Sequence, residues 1–197
     1  MAGFVRHRRS KRIIATMSGF EADLLRSLAA QLVELLRNEA AVPSENADPL
    51  EALFEGGDFA GPTTEPDDPV LARLFPNAYQ DDGEAASEFR RYTESTLRDG
   101  KARAAATIID ALEDAGLPSE PGSEELTIDV ELDLPTAEVW MRALTDLRLA
   151  LGTRLGVEEG DEDYWYALPD DDPRGQAHHI YEWLGYLQET LVHAVTA

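Results

Sequence analysis

The sequence predicts a mainly α protein, an α-rich α+β fold: a bundle of about five or six helices beside a small antiparallel sheet made by an N-terminal hairpin and one later strand. Three observations carry that expectation. Leucines recur at helical spacing in three long stretches, helix-start signals stand in front of these stretches, and one segment, Leu126–Leu134, alternates between apolar and polar residues without a break.

The elements follow in order. Phe4-Val5 and Ile13-Ile14 flank the polar run His7 to Lys11, which reads as a β-hairpin over 4–17. Ser18 with Glu21 three residues later is a capping box, in which each residue satisfies the other's backbone N–H. Phe20, Leu24, Leu28, Leu32 and Leu35 then form a stripe, flanked by Leu25 and Leu36, ending near Asn38. Burying each such leucine contributes roughly 1.5–3 kcal/mol, so this helix belongs to the core.

Glu39 to Ala72 holds nine acidic residues and no basic one. Two short helices are expected there, opened by Asp48-Pro49 and Asp68-Pro69, because Asp caps well and proline suits the first helical turn. A long helix is predicted over 84–115, with Phe89, Thr93, Leu97, Ala104, Ile108 and Leu112 along one side and Gly100 as the point where it would kink or divide. In the strand that follows, Leu126, Ile128, Val130, Leu132 and Leu134 face one way and Thr127, Asp129, Glu131 and Asp133 the other. Pro135 opens a helix striped by Trp140, Leu144, Leu147, Leu151 and Leu155 and stopped by Gly156. Asp172-Pro173 opens the last helix, lined by Ile180, Leu184, Leu187 and Leu191. The chain reads as a single domain over 1–197, with acidic, partly mobile loop segments at 39–72 and 157–172.

Charge narrows the function classes. The net charge is −22, yet Arg6, Arg8, Arg9, Lys11 and Arg12 place five positives within seven residues; without them the rest stands at −27. Such a body repels phosphate, so direct nucleic-acid binding is disfavoured and basic protein partners are favoured, although carboxylates also simply keep a protein soluble. The basic cluster has three readings: ion pairing across the sheet with the acidic face of the later strand, a nucleic-acid contact, or a partner contact.

There is no cysteine, which excludes disulfides and thiolate metal sites within these residues. The apolar stretch Ile13–Met17 is too short for a signal peptide and no run approaches a membrane span, so a cytoplasmic protein is expected.

Catalytic patterns are absent: no glycine-rich phosphate loop, no Gly-x-Ser-x-Gly, no His-Glu-x-x-His. Asp161 and Asp163 have the spacing of the first calcium-loop ligands, but Trp165 and Tyr166 stand where a third ligand and a glycine belong. His178 and His179, near Asp170–Asp172, point about 100° apart on a helix and suit one ion poorly. No enzyme, cofactor or metal is expected. The aromatic run Tyr164-Trp165-Tyr166 lies in a loop of eight carboxylates. It either anchors that loop on the core or forms an aromatic contact for a basic partner helix.

The basic hairpin running into Ser18-Gly-Phe-Glu-Ala-Asp-Leu-Leu25, and above all Ala143-Leu-Thr-Asp-Leu-Arg-Leu-Ala-Leu-Gly-Thr-Arg-Leu-Gly156, carry a resemblance that covers essentially the whole chain. The layout resembles an actinobacterial family long known as a domain of unknown function, which includes the oxidative-stress transcriptional regulator AosR. The resemblance implies transcription regulation by association with an alternative sigma factor, under redox control through a disulfide. A cysteine-free chain departs from that switch. Family genes also tend to lie near that of the Clp adaptor ClpS, which implies, as an alternative, an accessory role in proteolysis. A homodimer through the leucine-rich helices is compatible with the pattern.

Overall fold

The computed structural model describes residues 3–38, 61–118 and 126–197. Three strands, β1 (Phe4–Arg6), β2 (Ile13–Ser18) and β3 (Thr127–Leu132), form an antiparallel sheet in the order β1-β2-β3. Six helices accompany it among the described residues: α1 (Gly19–Asn38), α2 (Pro69–Leu74), α3 (Gly83–Asp114), α4 (Leu134–Leu155), α5 (Glu162–Tyr166) and α6 (Pro173–Thr196). The α-rich α+β class is the one the sequence predicts.

The alternation in β3 does what it should. Ile128, Val130 and Leu132 are buried with Phe4, Ile13, Ala15 and Met17 of the hairpin, while Thr127, Asp129 and Glu131 face solvent. The strand stops two residues short of the alternating pattern. Asp133 turns out of the ladder to accept a hydrogen bond from the Thr136 N–H at 2.9 Å, so Leu134 already begins α4. Ser18 and Glu21 form the capping box, with Ser18 N–H donating to Glu21 Oε2 at 3.0 Å and Glu21 N–H to Ser18 Oγ at 3.3 Å. Asp68 and Asp172 cap α2 and α6 one way, each accepting from the backbone N–H two residues on, at 2.7 Å from Val70 and 2.8 Å from Arg174.

Helix faces differ from the sequence expectation at two places. In α1 the buried row is Ala22, Leu25, Ala29, Leu32 and Leu36, whereas Phe20 is 69% exposed and Leu24, Leu28 and Leu35 flank the core. α1 packs against α3, and two alanines alternate with leucines in the buried row of α1. In α3, which runs unbroken through Gly100, the N-terminal half buries Arg90, Glu94 and Arg98 and exposes Phe89 and Leu97, one position round from the apolar row. The cause lies outside the helix. The chain leaving α2 lays Phe75 and Asn77 on this face, and their oxygens need donors.

α4 packs against α6, α3 and α2, with Trp140, Leu144 and Leu147 buried in the same cluster as Leu184, Leu187 and Leu191 of α6. The acidic segments are not simply loop: residues 69–74 form α2, and 162–166 form α5. The helix expected after Asp48-Pro49 lies outside the described residues. No helix among the described residues is long and apolar enough to cross a membrane.

Candidate partner-binding surfaces

The basic hairpin divides into a base that holds the fold and a tip that holds nothing. At the base, Phe4 N–H donates to Thr190 Oγ1 (3.1 Å) and Arg6 Nη1 to the Val195 carbonyl (3.3 Å), which ties β1 to the C-terminal turns of α6. Arg12 approaches Glu131 and Asp133, each at 3.9 Å, so cross-strand ion pairing accounts for this arginine. The tip is tightly turned: His7 N–H donates to the Arg12 carbonyl (2.8 Å) and Lys11 N–H to the His7 carbonyl (2.9 Å). Ser10 N–H donates to His7 Nδ1 at 3.2 Å, and Lys11 adopts φ +58°. That left-handed backbone is uncommon for a residue with a side chain. The result is an ordered turn on which Arg8, Arg9 and Lys11 are exposed, with no carboxylate in ion-pair range among the described residues.

The aromatic run is split by its helix. Trp165 is buried, stacked face to face on His178 with ring centres 4.6 Å apart, and its Nε1–H donates to Asp161 Oδ2 at 2.7 Å. Tyr164 and Tyr166 keep exposed rings while their hydroxyls are engaged. Tyr164 Oη accepts from Arg174 Nη1 (2.9 Å) and Tyr166 O–H donates to Glu182 Oε1 (2.8 Å). That bond to a carboxylate raises the Tyr166 phenol above its usual pKa, and the Glu158 N–H, donating to Asp161, lowers that carboxyl below its usual range. His178 is therefore occupied as a stacking partner for Trp165, and His179 is exposed beside it. Among the described residues no three His, Asp or Glu side chains converge as a metal site would need.

The fold does not bring the two candidate surfaces together. The aromatic helix α5 sits by His178 and Glu182, near the start of α6, and the hairpin base sits by Thr190 and Val195, near its end. At 1.5 Å per residue the two are roughly 20 Å apart along the helix.

What the sequence reading did not reveal is why the Ala143–Gly156 segment has its pattern. Asp146 accepts from Lys101 Nζ of α3 (2.6 Å), and Arg154 pairs with the α2 cap Asp68 (2.8 Å). Arg148 lies over the Tyr181 ring, its guanidinium carbon 5.1 Å from the ring centre, and donates to Gln188 Oε1 (3.0 Å). Gly152 leaves room for the Tyr181 ring, which a Cβ there would meet at 3.1 Å, and Gly156 ends the helix at φ +71°. Asp146, Arg148 and Arg154 each face a different element, and only the neighbours' positions make the pattern readable.

Comparison with known proteins gives the lineage. The profile of a domain of unknown function, DUF2017, matches residues 1–195. Relatives called oxidative stress regulator AosR in Mycobacterium tuberculosis and Mycobacterium bovis are each 33% identical over 202 residues, covering 95% of this chain and 84% of theirs. A putative oxidative stress regulator AosR of Mycobacterium leprae is 31% identical over 199 residues, covering 94% and 83%. No solved structure matches significantly. Matched over residues 1–195 by the profile, and similar over 94–95% of its length to these relatives, the chain belongs to the DUF2017 family.

Proposed function

We propose that this protein is a non-enzymatic regulator of the oxidative-stress response, working in the cytoplasm through contact with the transcription machinery, with a sigma factor as the partner. The observation that carries the reading is the similarity to proteins named oxidative stress regulators along 95% of the chain. The charge layout supports a protein partner. A carboxylate-dominated body is attracted to the basic surfaces that a sigma factor presents to DNA, and the Arg8-Arg9-Lys11 tip offers a second, oppositely charged contact that sets orientation. Without cysteine, these residues respond to a signal other than their own disulfide formation.

Affinity capture of the tagged full chain from native lysate tests this. A sigma factor or polymerase subunit should be recovered with the wild type and lost with the Arg8→Glu, Arg9→Glu, Lys11→Glu variant. Recovery of Clp components in their place would replace this reading with the adaptor role. Recovery of neither would overturn it.

A further inference from the structure

An unassigned groove runs between α3 and α4. Leu97, Ala104 and Val139 line it with apolar surface, and Lys101, Arg103 and Arg142 stand along it. Its charge is opposite to that of the chain as a whole. The carboxylate lining it, Asp146, is buried and neutralised by Lys101. Arg103 and Arg142 are exposed, and no carboxylate among the described residues lies in ion-pair range of either. Leu97, near the middle of α3, is 48% exposed over this groove.

Gly100 supplies a separate argument. A glycine inside a helix costs about 1 kcal/mol relative to alanine and persists where something needs the space. At Gly152 in α4 and Gly185 in α6 that something is part of the chain: the Tyr181 ring lies beside the first and the Arg148 guanidinium beside the second. At Gly100, in the lining of the groove, a Cβ would meet no atom of the described residues within 4 Å. The notch serves no packing among the described residues.

We propose that the α3–α4 groove receives an acidic amphipathic helix from a partner protein. Its apolar stripe would lie over Leu97, Ala104 and Val139, one side chain would enter the notch above Gly100, and flanking carboxylates would meet Arg103 and Arg142. A nucleic acid fits less well, because its backbone would carry no aliphatic groups to this lining and would meet the acidic shell around it. The groove is distinct from the basic tip and stands or falls without it.

The test uses the full chain and two synthetic helical peptides that share one leucine stripe, one flanked by glutamates and one by lysines, read by fluorescence anisotropy. The glutamate peptide should bind and the lysine peptide should not. The pair Arg103→Glu, Arg142→Glu should weaken binding by about tenfold or more, as should Gly100→Leu, which fills the notch. Gly100→Ala should raise Tm slightly, as expected where no neighbour is crowded. Should Gly100→Leu fail to fold, the exposed arginine pair still decides the matter. The proposal is overturned if the glutamate peptide does not bind, if the lysine peptide binds equally, or if the arginine pair leaves its affinity unchanged. It is also overturned if DNA displaces the peptide, or if the variants change the mass of the protein in solution, which would make the groove an interface between copies.

Discussion

Two arginine-bearing regions behave in opposite ways. In α3, Arg90 and Arg98 are buried one turn on either side of Glu94: Arg90 bonds that carboxylate and the Phe75 carbonyl (2.9 Å), and Arg98 Nε donates to Glu94 Oε1 (2.8 Å). Arg98 also lies over the Phe75 ring. On the hairpin, Arg8 and Arg9 are adjacent in sequence and exposed on a turn with no such acceptors among the described residues. The lesson is that an arginine's role is set by the oxygens around it. Where the chain leaving α2 supplies oxygens over a buried face, the guanidinium is a clamp; where nothing among the described residues covers it, the charge is available to a partner.

That contrast can be broken at either end. The largest effect is expected from Glu94→Ala, which leaves two buried guanidinium groups without their shared carboxylate and should cost about 3–5 kcal/mol in urea denaturation. A loss under about 1 kcal/mol would mean the ladder is not a clamp. Trp165→Ala removes the ring that fastens α5 to His178 and should cost about 3 kcal/mol, the low end for a large aromatic because α5 is short and peripheral. If it also abolished partner capture with the fold intact, the aromatic helix would be a contact in its own right. Asp68→Ala loses both the α2 cap and the Arg154 bridge and should cost about 1 kcal/mol, readable as a lower urea midpoint.

The pH dependence follows from directions. Asp133 and Asp172 are held below the usual carboxylate range, Asp133 chiefly by its bond from Thr136 and Asp172 by its bonds from Arg174; Asp161 is lowered as well. A depressed pKa means that the stabilisation is complete above the unfolded-state value, about 3.9, and is lost as pH falls through the folded-state values. Helix content should therefore hold at neutral pH and decline below about pH 4. Tyr166 is shifted upward, so its bond to Glu182 contributes below the unfolded-state value, about 10, and is lost as pH rises beyond it. Ultraviolet titration of the Tyr166→Phe variant against the wild type would identify that group. The smallest effect is expected from Arg8→Ala with Arg9→Ala, which should move stability by less than about 0.5 kcal/mol while removing partner capture.

Local signals were legible where one short stretch satisfies its own chemistry. The Ser18–Glu21 box and the Asp caps at 68 and 172 need only neighbours in sequence and stand as read, and the alternation of β3 holds over Thr127–Leu132, short of its expected end at Leu134. The candidate surfaces were legible only as lists of residue types. Arg6, Arg8, Arg9, Lys11 and Arg12 look alike in the sequence, and the fold ties two of them to Val195 and to Glu131 and leaves the other three exposed. Tyr164, Trp165 and Tyr166 look alike as well, and a single helical turn sends one ring inward and two outward.

By itself, then, the sequence determined the class of fold, the starts of most helices and the acidic character of the surface, because capping, periodicity and net charge are properties of a few adjacent residues or of their sum. Tertiary structure decided which face of α1 and α3 is buried, which cations are clamped and which are presented, and that α3 and α4 enclose a basic-rimmed groove. Those outcomes depend on acceptors and packing partners supplied by segments distant along the chain, whose positions no local pattern encodes.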